Sequence, residues 1–330
     1  MADIVVKELR HPSSYLSSDE IVPISGAISG FIAGVAVCPL DVAKTRLQAQ
    51  GSFLQKHPDG LRNFEKFRYK GLGGTLRTIL KQEGIKGLYR GLPAMVLGYF
   101  PTWMIYFTVY EQNKKLTRNL FDHETLSFAT SAILAGAVST TLTNPIWVVK
   151  TRMMIQTGDG RTIYDRFPSK HQTGASKDAQ VYKSLVDTFV KMYRKEGWKS
   201  FYSGLLPSYI GLTHVAIQFP IYENLKKNLN LRDDSSNVGK LTLASIISKV
   251  LASSVTYPHE ILRTRLQIDK TKVSMMTGLV RTFLSVYKNE GVKGFYSGFI
   301  INLTRTVPSS AVTLVTFEYI KGYLERVNGL

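Results

Sequence analysis

The sequence predicts an all-α membrane protein with six transmembrane helices in three pseudo-symmetric repeats, each with a short amphipathic surface helix. An eight-residue motif that begins with proline and ends with Thr-Arg occurs at 39–46, 145–152 and 258–265. An acid-Gly pair followed by an aromatic-x-Gly element occurs at 83–91, 196–204 and 290–298. A fixed internal period indicates three copies of one supersecondary unit, each too small to bury its apolar face alone.

A third landmark, an aromatic-Glu pair with a lysine shortly after it, sets the repeat boundaries. It lies 26 or 27 residues after each acid-Gly pair, whereas the distance from the proline motif to the acid-Gly pair varies. Length therefore varies in one loop, which is longest in the middle repeat, at 158–180. We expect an N-terminal tail at 1–20 and repeats at 21–117, 125–229 and 239–325.

The first helix of each repeat is predicted to precede and contain the proline motif. In the first repeat it is apolar from residue 21 to 38, with glycines at 26, 30 and 34 that favour close helix packing in lipid. The third repeat places Lys249 on the equivalent face. Because proline removes a backbone donor, Pro39, Pro145 and Pro258 are predicted to kink these helices.

Two further helices follow in each repeat. Short amphipathic helices with several lysines are predicted at about 74–83, 182–195 and 276–289, along the membrane surface. The even-numbered transmembrane helices are predicted to begin after Gly91, Gly204 and Gly298 and to run to about 116, 228 and 323. At 1.5 Å per residue, each is long enough to cross roughly 30 Å of hydrocarbon. Six spans place both termini on one side.

The charge balance indicates an anionic partner, since 42 Lys and Arg stand against 24 Asp and Glu. Nucleic acid, anionic lipid and an anionic small molecule all fit this charge. The basic residues are spread over three repeats beside apolar helices, without a basic tail or nucleic-acid-binding motif. We therefore expect no nucleic-acid partner.

No cofactor or metal is expected. Cys38 is the only cysteine, so the chain has neither an intrachain disulfide framework nor a cysteine-based metal site. The six histidines lack ligand spacing, and His214 and His259 are interpreted as structural. Residues 1–20 carry four acids and no apolar run, so they fit neither a secretory signal nor a typical transit peptide.

The tripled Pro-x-acid-x-x-base-x-base motif and the later acid-Gly and aromatic-x-Gly elements resemble the mitochondrial carrier family. The resemblance covers about residues 20–325. It implies six tilted helices around a threefold pseudo-axis, a central substrate site, a multi-pass position in the mitochondrial inner membrane and bound cardiolipin. A functional monomer is also expected.

The motif charges are expected to close one mouth of the cavity, because they follow the predicted kinks, where three helices converge. The resemblance implies cyclic pairing of Asp41 with Lys150, Glu260 with Lys44, and residue 147 with Arg263. Trp147 replaces the acid there, and indole over guanidinium would supply a cation–π contact of roughly 0.5–2 kcal/mol. The matrix gate so predicted comprises Asp41, Lys44, Gln48, Trp147, Lys150, Glu260, Arg263 and Gln267.

A second ring of charges is predicted at the opposite mouth, the cytoplasmic gate. Its residues are Tyr110, Glu111, Lys114, Tyr222, Glu223, Lys226, Phe317, Glu318 and Lys321. Taken singly, such pairs are surface salt bridges worth about 0–1 kcal/mol. Two complete rings at opposite ends of the same helices instead favour two gates that are never both shut, which is the principle of alternating access.

Counting seven or eight residues from each aromatic-x-Gly glycine locates the family's substrate contacts. The resulting candidates, with nearby polar residues, are Gly98, Tyr99, Gly211, Leu212, Arg305, Lys249, Ser208 and Asn302. Arg305 and Lys249 are costly in mid-membrane unless they meet an anion such as phosphate; pairing with a protein carboxylate or snorkelling is the alternative. Ser208 and Asn302 suit ribose hydroxyls. Tyr99, Trp103 and Tyr209 are candidates for stacking a base, or for packing between helices.

Within the family, Trp147 in the second motif resembles the carriers of pyrimidine nucleotides, flavin dinucleotide, folate and NAD. The stretch 257–265 narrows the resemblance to the NAD and pyrimidine nucleotide carriers, most of all the fungal mitochondrial NAD carriers. Import of NAD in exchange for an internal nucleotide is thus expected, with the pyrimidine, flavin and folate carriers as alternatives. Outside the family, a basic scaffold or pore remains open. An NAD-dependent enzyme is disfavoured, because no Gly-x-Gly-x-x-Gly lies in a βαβ context.

Overall fold

A computed structural model describes residues 18–56, 69, 71–118, 124–157, 182–229, 238–269 and 274–328. Most of the predicted tail and the middle loop at 158–180 lie outside these residues. The elements described are helices, which confirms the predicted class. They are α1 Ser18–Lys56, α2 Gly71–Leu88, α3 Leu92–Arg118, α4 Glu124–Met154, α5 Leu185–Glu196, a 3-10 turn Trp198–Tyr202, α6 Leu205–Asn228, α7 Val238–Thr256, α8 Pro258–Ile268, α9 Met275–Gly294 and α10 Phe299–Val327.

The long helices pack side by side around a central space. Helix α3 packs along α4, α4 contacts α6, and α6 packs along α7, while α10 returns to lie along α1. The first and third repeats therefore share an extensive contact through their outermost helices. The predicted even-numbered helices are α3, α6 and α10, and each begins directly after its predicted glycine.

The long helices differ in length and in hydropathy. Among the described residues, three stretches are both long and apolar enough to cross a membrane: Ile24–Gly51, Leu92–Arg118 and Ser127–Met154. Leu243–Thr256 is a shorter apolar helix. Helices α6 and α10 have 24 and 29 residues and therefore sufficient length, but they carry polar and charged side chains along the ring interior.

The three proline motifs differ in how the helix passes through them. Helices α1 and α4 continue through Pro39 and Pro145. In the third repeat, α7 ends at Thr256 and α8 begins at Pro258, so the α-helix is interrupted at Tyr257, although the Tyr257 backbone keeps helical angles. Because proline at the first helical position lacks only a hydrogen bond that would be unmade anyway, this break suits Pro258 well.

The repeated glycines mark places where the backbone turns. All six landmark glycines have a positive φ, between 63° and 84°, a region in which residues with a Cβ are strained. They are Gly84, Gly91, Gly197, Gly204, Gly291 and Gly298. The first glycine of each pair redirects the chain after the surface helix, and the second starts the next membrane helix.

The surface helices lie close to their predicted positions, as α2, α5 and α9. Helix α5 is capped by Ser184, whose Oγ accepts from the backbone N–H of Asp187 at 3.2 Å. The Asp187 carboxylate accepts from the backbone N–H of Lys183 and from Lys191, which holds the pKa of Asp187 below its usual range. Helix α2 buries Ile79 in an apolar cluster with Val42, so it belongs partly to the core.

In each of the three repeats, one buried ion pair joins the proline motif to the surface helix. Arg46 pairs with Glu83, Arg152 with Glu196 at 2.8 Å, and Arg265 with Glu290 at 2.5 Å. The Arg46 and Glu83 side chains are 0% and 1% exposed. Removing one partner of such a pair leaves a buried charge uncompensated, at a cost of about 3–5 kcal/mol.

The same arginines also tie each repeat to the next. Arg46 donates to the carbonyl of Met154 at 3.0 Å, at the end of α4. Arg152 donates to the carbonyl of Gln267 at 2.5 Å, near the end of α8, and Arg265 donates to that of Gln48 at 3.3 Å. At the ends of α4 and α8 such cations are favourable, since the last carbonyls lack intrahelical partners, whereas Gln48 lies within α1. The three links form a closed cycle through the repeats.

We predict that Gly51→Ala destabilises the protein by about 1–3 kcal/mol, because overpacking a close contact costs this much. A Cβ at Gly51 would lie less than 3.0 Å from both Arg265 and Glu290. Gly30→Ala, on the same helix and with open space around it, is the matched control. Thermal unfolding of the purified protein measures both. Equal melting temperatures for the two variants would contradict the close packing of this ion pair.

Candidate functional site

A polar cavity of about 360 Å³ lies inside the ring of helices. Helices α6, α7, α8 and α10 supply most of its wall, with one residue from α3. The lining residues are Tyr99, Gly211, His214, Lys249, Ser253, Thr256, Tyr257, His259, Glu260, Asn302, Arg305, Thr306 and Ser309. Along α7 and α10 they recur at helical spacing, so one face of each helix is turned toward the cavity.

Five of the eight predicted substrate residues line this cavity: Tyr99, Gly211, Lys249, Asn302 and Arg305. Gly98 lies against Ile146 and Trp147, where α3 meets α4. Leu212 packs on Gly136.

The remaining predicted polar and aromatic residues make contacts within the helices and between them. The Ser208 hydroxyl donates to the carbonyl of Gly204 at 2.7 Å. The Tyr209 hydroxyl forms a hydrogen bond of 2.5 Å with the Thr141 hydroxyl. Trp103 stacks on Phe107, with 5.5 Å between ring centroids. The sequence count therefore found the level of the cavity, while helix rotation decided which side chains face it.

Two of the expected motif ion pairs are present. Lys150 Nζ lies 3.3 Å from Asp41 Oδ2, and Lys44 Nζ lies 2.7 Å from Glu260 Oε2. Lys44 also donates to Asn302 Oδ1 at 2.8 Å. Asp41 is only 4% exposed, so cationic side chains rather than water stabilise its negative charge.

Arg305 connects the cavity to this cluster of charges. Its Nη1 donates to Asp41 Oδ1 at 2.5 Å, so Asp41 has two cationic partners, Lys150 and Arg305. The Arg305 side chain is still 29% exposed and lines the cavity. Pairing with a protein carboxylate, one of the alternatives for Arg305, is therefore observed, and the carboxylate belongs to the predicted matrix gate.

The third position of the predicted matrix gate differs from expectation. The cation over the Trp147 indole is Lys150, 5.1 Å from the ring centroid, and not Arg263. Residues three apart on a helix face each other, which explains the local contact. Trp147 Nε1 donates to Thr102 Oγ1 at 3.3 Å, and the ring meets Tyr99 edge-on. Within the described part of the chain, Arg263 has no carboxylate partner.

The glutamines of the predicted matrix gate bond across the repeats. Gln48 Nε2 donates to the Tyr257 hydroxyl at 3.1 Å, and its Oε1 accepts from Thr264 at 2.8 Å. Gln267 Oε1 accepts from Thr151 at 2.7 Å. These bonds brace the helices where the ion pairs meet.

The opposite ring of charges is spread apart. Glu111, Glu223 and Glu318 are all exposed. Lys114 lies over the Phe128 ring, and Lys321 is 3.8 Å from Glu325 on its own helix. Among the described residues, no ion pair joins the three glutamates to Lys114 or Lys321. Lys226, Tyr110, Tyr222 and Phe317 are half-buried nearby along the same helices.

Sequence reasoning missed two sets of residues. The arginines at the motif ends and the acid-Gly glutamates both recur three times, and this shared period was the available signal for their pairing. Tyr257 and His259 were also missed as parts of the cavity wall. The signal there was a departure from the repeat, since Leu40 and Ile146 occupy the positions equivalent to His259.

Three helical repeats around a polar cavity, with a cluster of ion-paired charges beside it, are typical of a membrane transport protein. The sequence profile described as mitochondrial carrier protein matches residues 22–120, 122–233 and 234–328. The chain therefore belongs to the mitochondrial carrier family, whose members are transporters, and it resides in the mitochondrial inner membrane.

Similar proteins carry more specific names. The mitochondrial nicotinamide adenine dinucleotide transporter 1 of Saccharomyces cerevisiae is 50% identical over 98% of this chain and 83% of its own length. The mitochondrial nicotinamide adenine dinucleotide transporter 2 of Arabidopsis thaliana is 36% identical over 92% of this chain and 79% of its own. Solute carrier family 25 member 36-A of Danio rerio is 31% identical over 90% and 94%.

We predict that Trp147→Asp slows substrate exchange by about 5- to 30-fold, as expected if a new pair with Arg263 adds about 1–2 kcal/mol to the closed gate. Trp147→Phe keeps the ring and adds no charge, so it is the control. Exchange rates in liposomes containing equal amounts of folded protein measure the effect. Unchanged or faster exchange in the aspartate variant would argue against this gate.

Proposed function

We propose that the protein imports NAD across the mitochondrial inner membrane in exchange for an internal nucleotide, and that it is a transporter without enzymatic activity. The observation that carries this proposal is the pair of cations in the cavity wall, Arg305 and Lys249. The names of the relatives that share half or a third of the sequence support NAD as the substrate.

The cavity suits a dinucleotide with a charged centre. The NAD pyrophosphate carries two negative charges, and guanidinium binds phosphate oxygens with two parallel hydrogen bonds. Asn302, Thr306 and Ser309 follow Arg305's face of α10 and offer partners for ribose hydroxyls. Tyr99 provides an aromatic surface for a base. Cations beside neutral polar groups suit the pyrophosphate and the riboses at the centre of NAD.

The contact between Arg305 and Asp41 suggests how substrate opens the predicted matrix gate. A phosphate that binds Arg305 competes with the Asp41 carboxylate for the same guanidinium. Asp41 then keeps Lys150 as its cationic partner, and the closed arrangement loses one charge-assisted bond, worth about 1.5–3 kcal/mol. A ligand shifts a conformational equilibrium only through such a difference between the two states.

The same contact favours exchange over uniport. The ion pair between Arg305 and Asp41 holds the gate residues together. The empty carrier thus lacks the anion that weakens the gate, so its return is slow unless another nucleotide binds. An internal nucleotide supplies this anion.

Cardiolipin and the oligomeric state complete the proposal. The first turn of α2 is largely exposed, and the backbone N–H groups at a helix start suit the phosphates of bound cardiolipin. The first and last helices of one chain pack along each other, which supports a functional monomer. Nucleic acid has no part in this function.

The transport assay tests substrate and exchange together. Purified protein in liposomes takes up labelled NAD, with NAD, AMP, UTP or nothing inside. We expect uptake to depend on internal nucleotide and UTP to compete poorly, because the relatives named for a substrate are named for NAD. Equal uptake into liposomes without internal nucleotide would contradict the proposed exchange mechanism. Strong competition by UTP would favour the alternative, a pyrimidine nucleotide carrier of the same fold.

We predict that Arg305→Ala lowers NAD uptake by at least about tenfold, since it removes a charge-assisted contact worth about 1.5–3 kcal/mol. Arg281→Ala is the control, because Arg281 is an exposed arginine on the surface helix α9. Uptake is compared after thermal unfolding shows both variants folded. Wild-type uptake by the folded Arg305 variant would exclude this residue from the substrate site.

A further inference from the structure

Two histidines line the cavity on either side of Thr256. His259 comes from the third proline motif, and its imidazole covers Gly211 of α6. A Cβ at Gly211 would lie less than 3.0 Å from His259 Nε2, so only glycine leaves room for this ring. His214 lies on the same face of α6, one turn further along. The surface above Gly211 is thus an imidazole and not open space.

The hydrogen bond of His259 determines which nitrogen carries its proton. Nδ1 lies within hydrogen-bond distance of the backbone carbonyl of Thr256. A carbonyl oxygen only accepts, so Nδ1 is the protonated nitrogen. In the neutral imidazole Nε2 is then an acceptor.

The same reasoning applies to His214. Its Nδ1 lies 3.2 Å from the Thr256 hydroxyl, and this hydroxyl donates its single proton to the carbonyl of Ala252 at 2.9 Å. With that proton on the Ala252 carbonyl, we assign the hydroxyl oxygen as the acceptor from His214 Nδ1 and Nε2 of His214 as an acceptor as well. Thr256 holds both rings in the same tautomer, one through its carbonyl and one through its side chain.

The two histidines share the cavity with charged side chains. Lys249 and Arg305 line the same cavity. Arg263 lies on α8, one turn after His259. Glu260 also lines the cavity, and its carboxylate is paired with Lys44.

We propose that His214 and His259 form an amine-recognition subsite, in which their Nε2 atoms accept hydrogen bonds from the exocyclic amino group of the substrate's base. This inference rests on the proposed transport of nucleotides and specifies which bases the site prefers. Adenine and cytosine present an amino group. Hypoxanthine and uracil present a carbonyl oxygen at the equivalent position, which would face an acceptor with an acceptor. Buried polar groups left unpaired in this way give strong discrimination.

The test uses two pairs of nucleotides that differ at this group, AMP with IMP and CMP with UMP. Purified full-length protein is titrated with each nucleotide, and thermal stabilisation gives its half-saturating concentration. We expect the amino member of each pair to bind at least about tenfold more tightly. Lack of preference within both pairs would overturn the proposal.

Three variants separate recognition from folding. His259→Phe and His214→Phe keep an aromatic ring and remove the acceptor, so the preference for AMP over IMP should fall toward one. Thr256→Val keeps the shape but removes the hydroxyl that orients His214, and a partial fall is expected. Thr256 is thus a positioning residue, and the binding ratio reports its effect independently of overall activity. Arg281→Ala, on the surface helix, should keep the wild-type ratio.

The outcomes distinguish this subsite from the choice of substrate. A wild-type preference that persists in both phenylalanine variants would overturn the subsite. Should either phenylalanine variant fail to fold, the ratio in Thr256→Val decides, and an unchanged ratio there counts against the proposal. Absence of NAD uptake, together with a preference for CMP over UMP that the variants abolish, would retain the subsite and reject NAD as the substrate.

Discussion

The three buried arginines at the ends of the proline motifs hold the rest of the structure in place. Each neutralises a glutamate of its own repeat and donates to a carbonyl of another, from Arg46 to the end of α4, from Arg152 to the end of α8 and from Arg265 back to α1. The cycle closes only when all three repeats are present. This dependence gives a physical reason for the internal period, since in one repeat alone the arginine would lack the carbonyl acceptor that another repeat supplies.

The charges nearer the pseudo-axis belong to a second network, which is less completely satisfied. Asp41 is shared between Lys150 and Arg305, whereas Trp147 leaves Arg263 without an acid among the described residues. We propose that this asymmetry is functional. A gate with two ion pairs in place of three holds the closed state less strongly, and the shared carboxylate makes one of these pairs sensitive to an anion in the cavity.

The cavity is as asymmetric as the gate. Its wall is drawn mainly from α6, α7, α8 and α10, and Tyr257, His259 and Glu260 of the third motif lie at its surface. The equivalent residues of the other repeats do not line it. Three similar repeats can thus form a pseudo-symmetric frame and still present a one-sided site, which is what an asymmetric ligand such as a nucleotide requires.

The sequence by itself determined the helical class, the threefold period and the starts of α3, α6 and α10, because a glycine with a positive φ or a helix of membrane length is a local property. It also located the level of the cavity. Only the tertiary structure decided that Arg305 meets Asp41, 264 residues away, that Trp147 meets Lys150 rather than Arg263, and that His259 covers Gly211. These contacts depend on how each helix is rotated about its axis against its neighbours, and packing between distant segments sets that rotation.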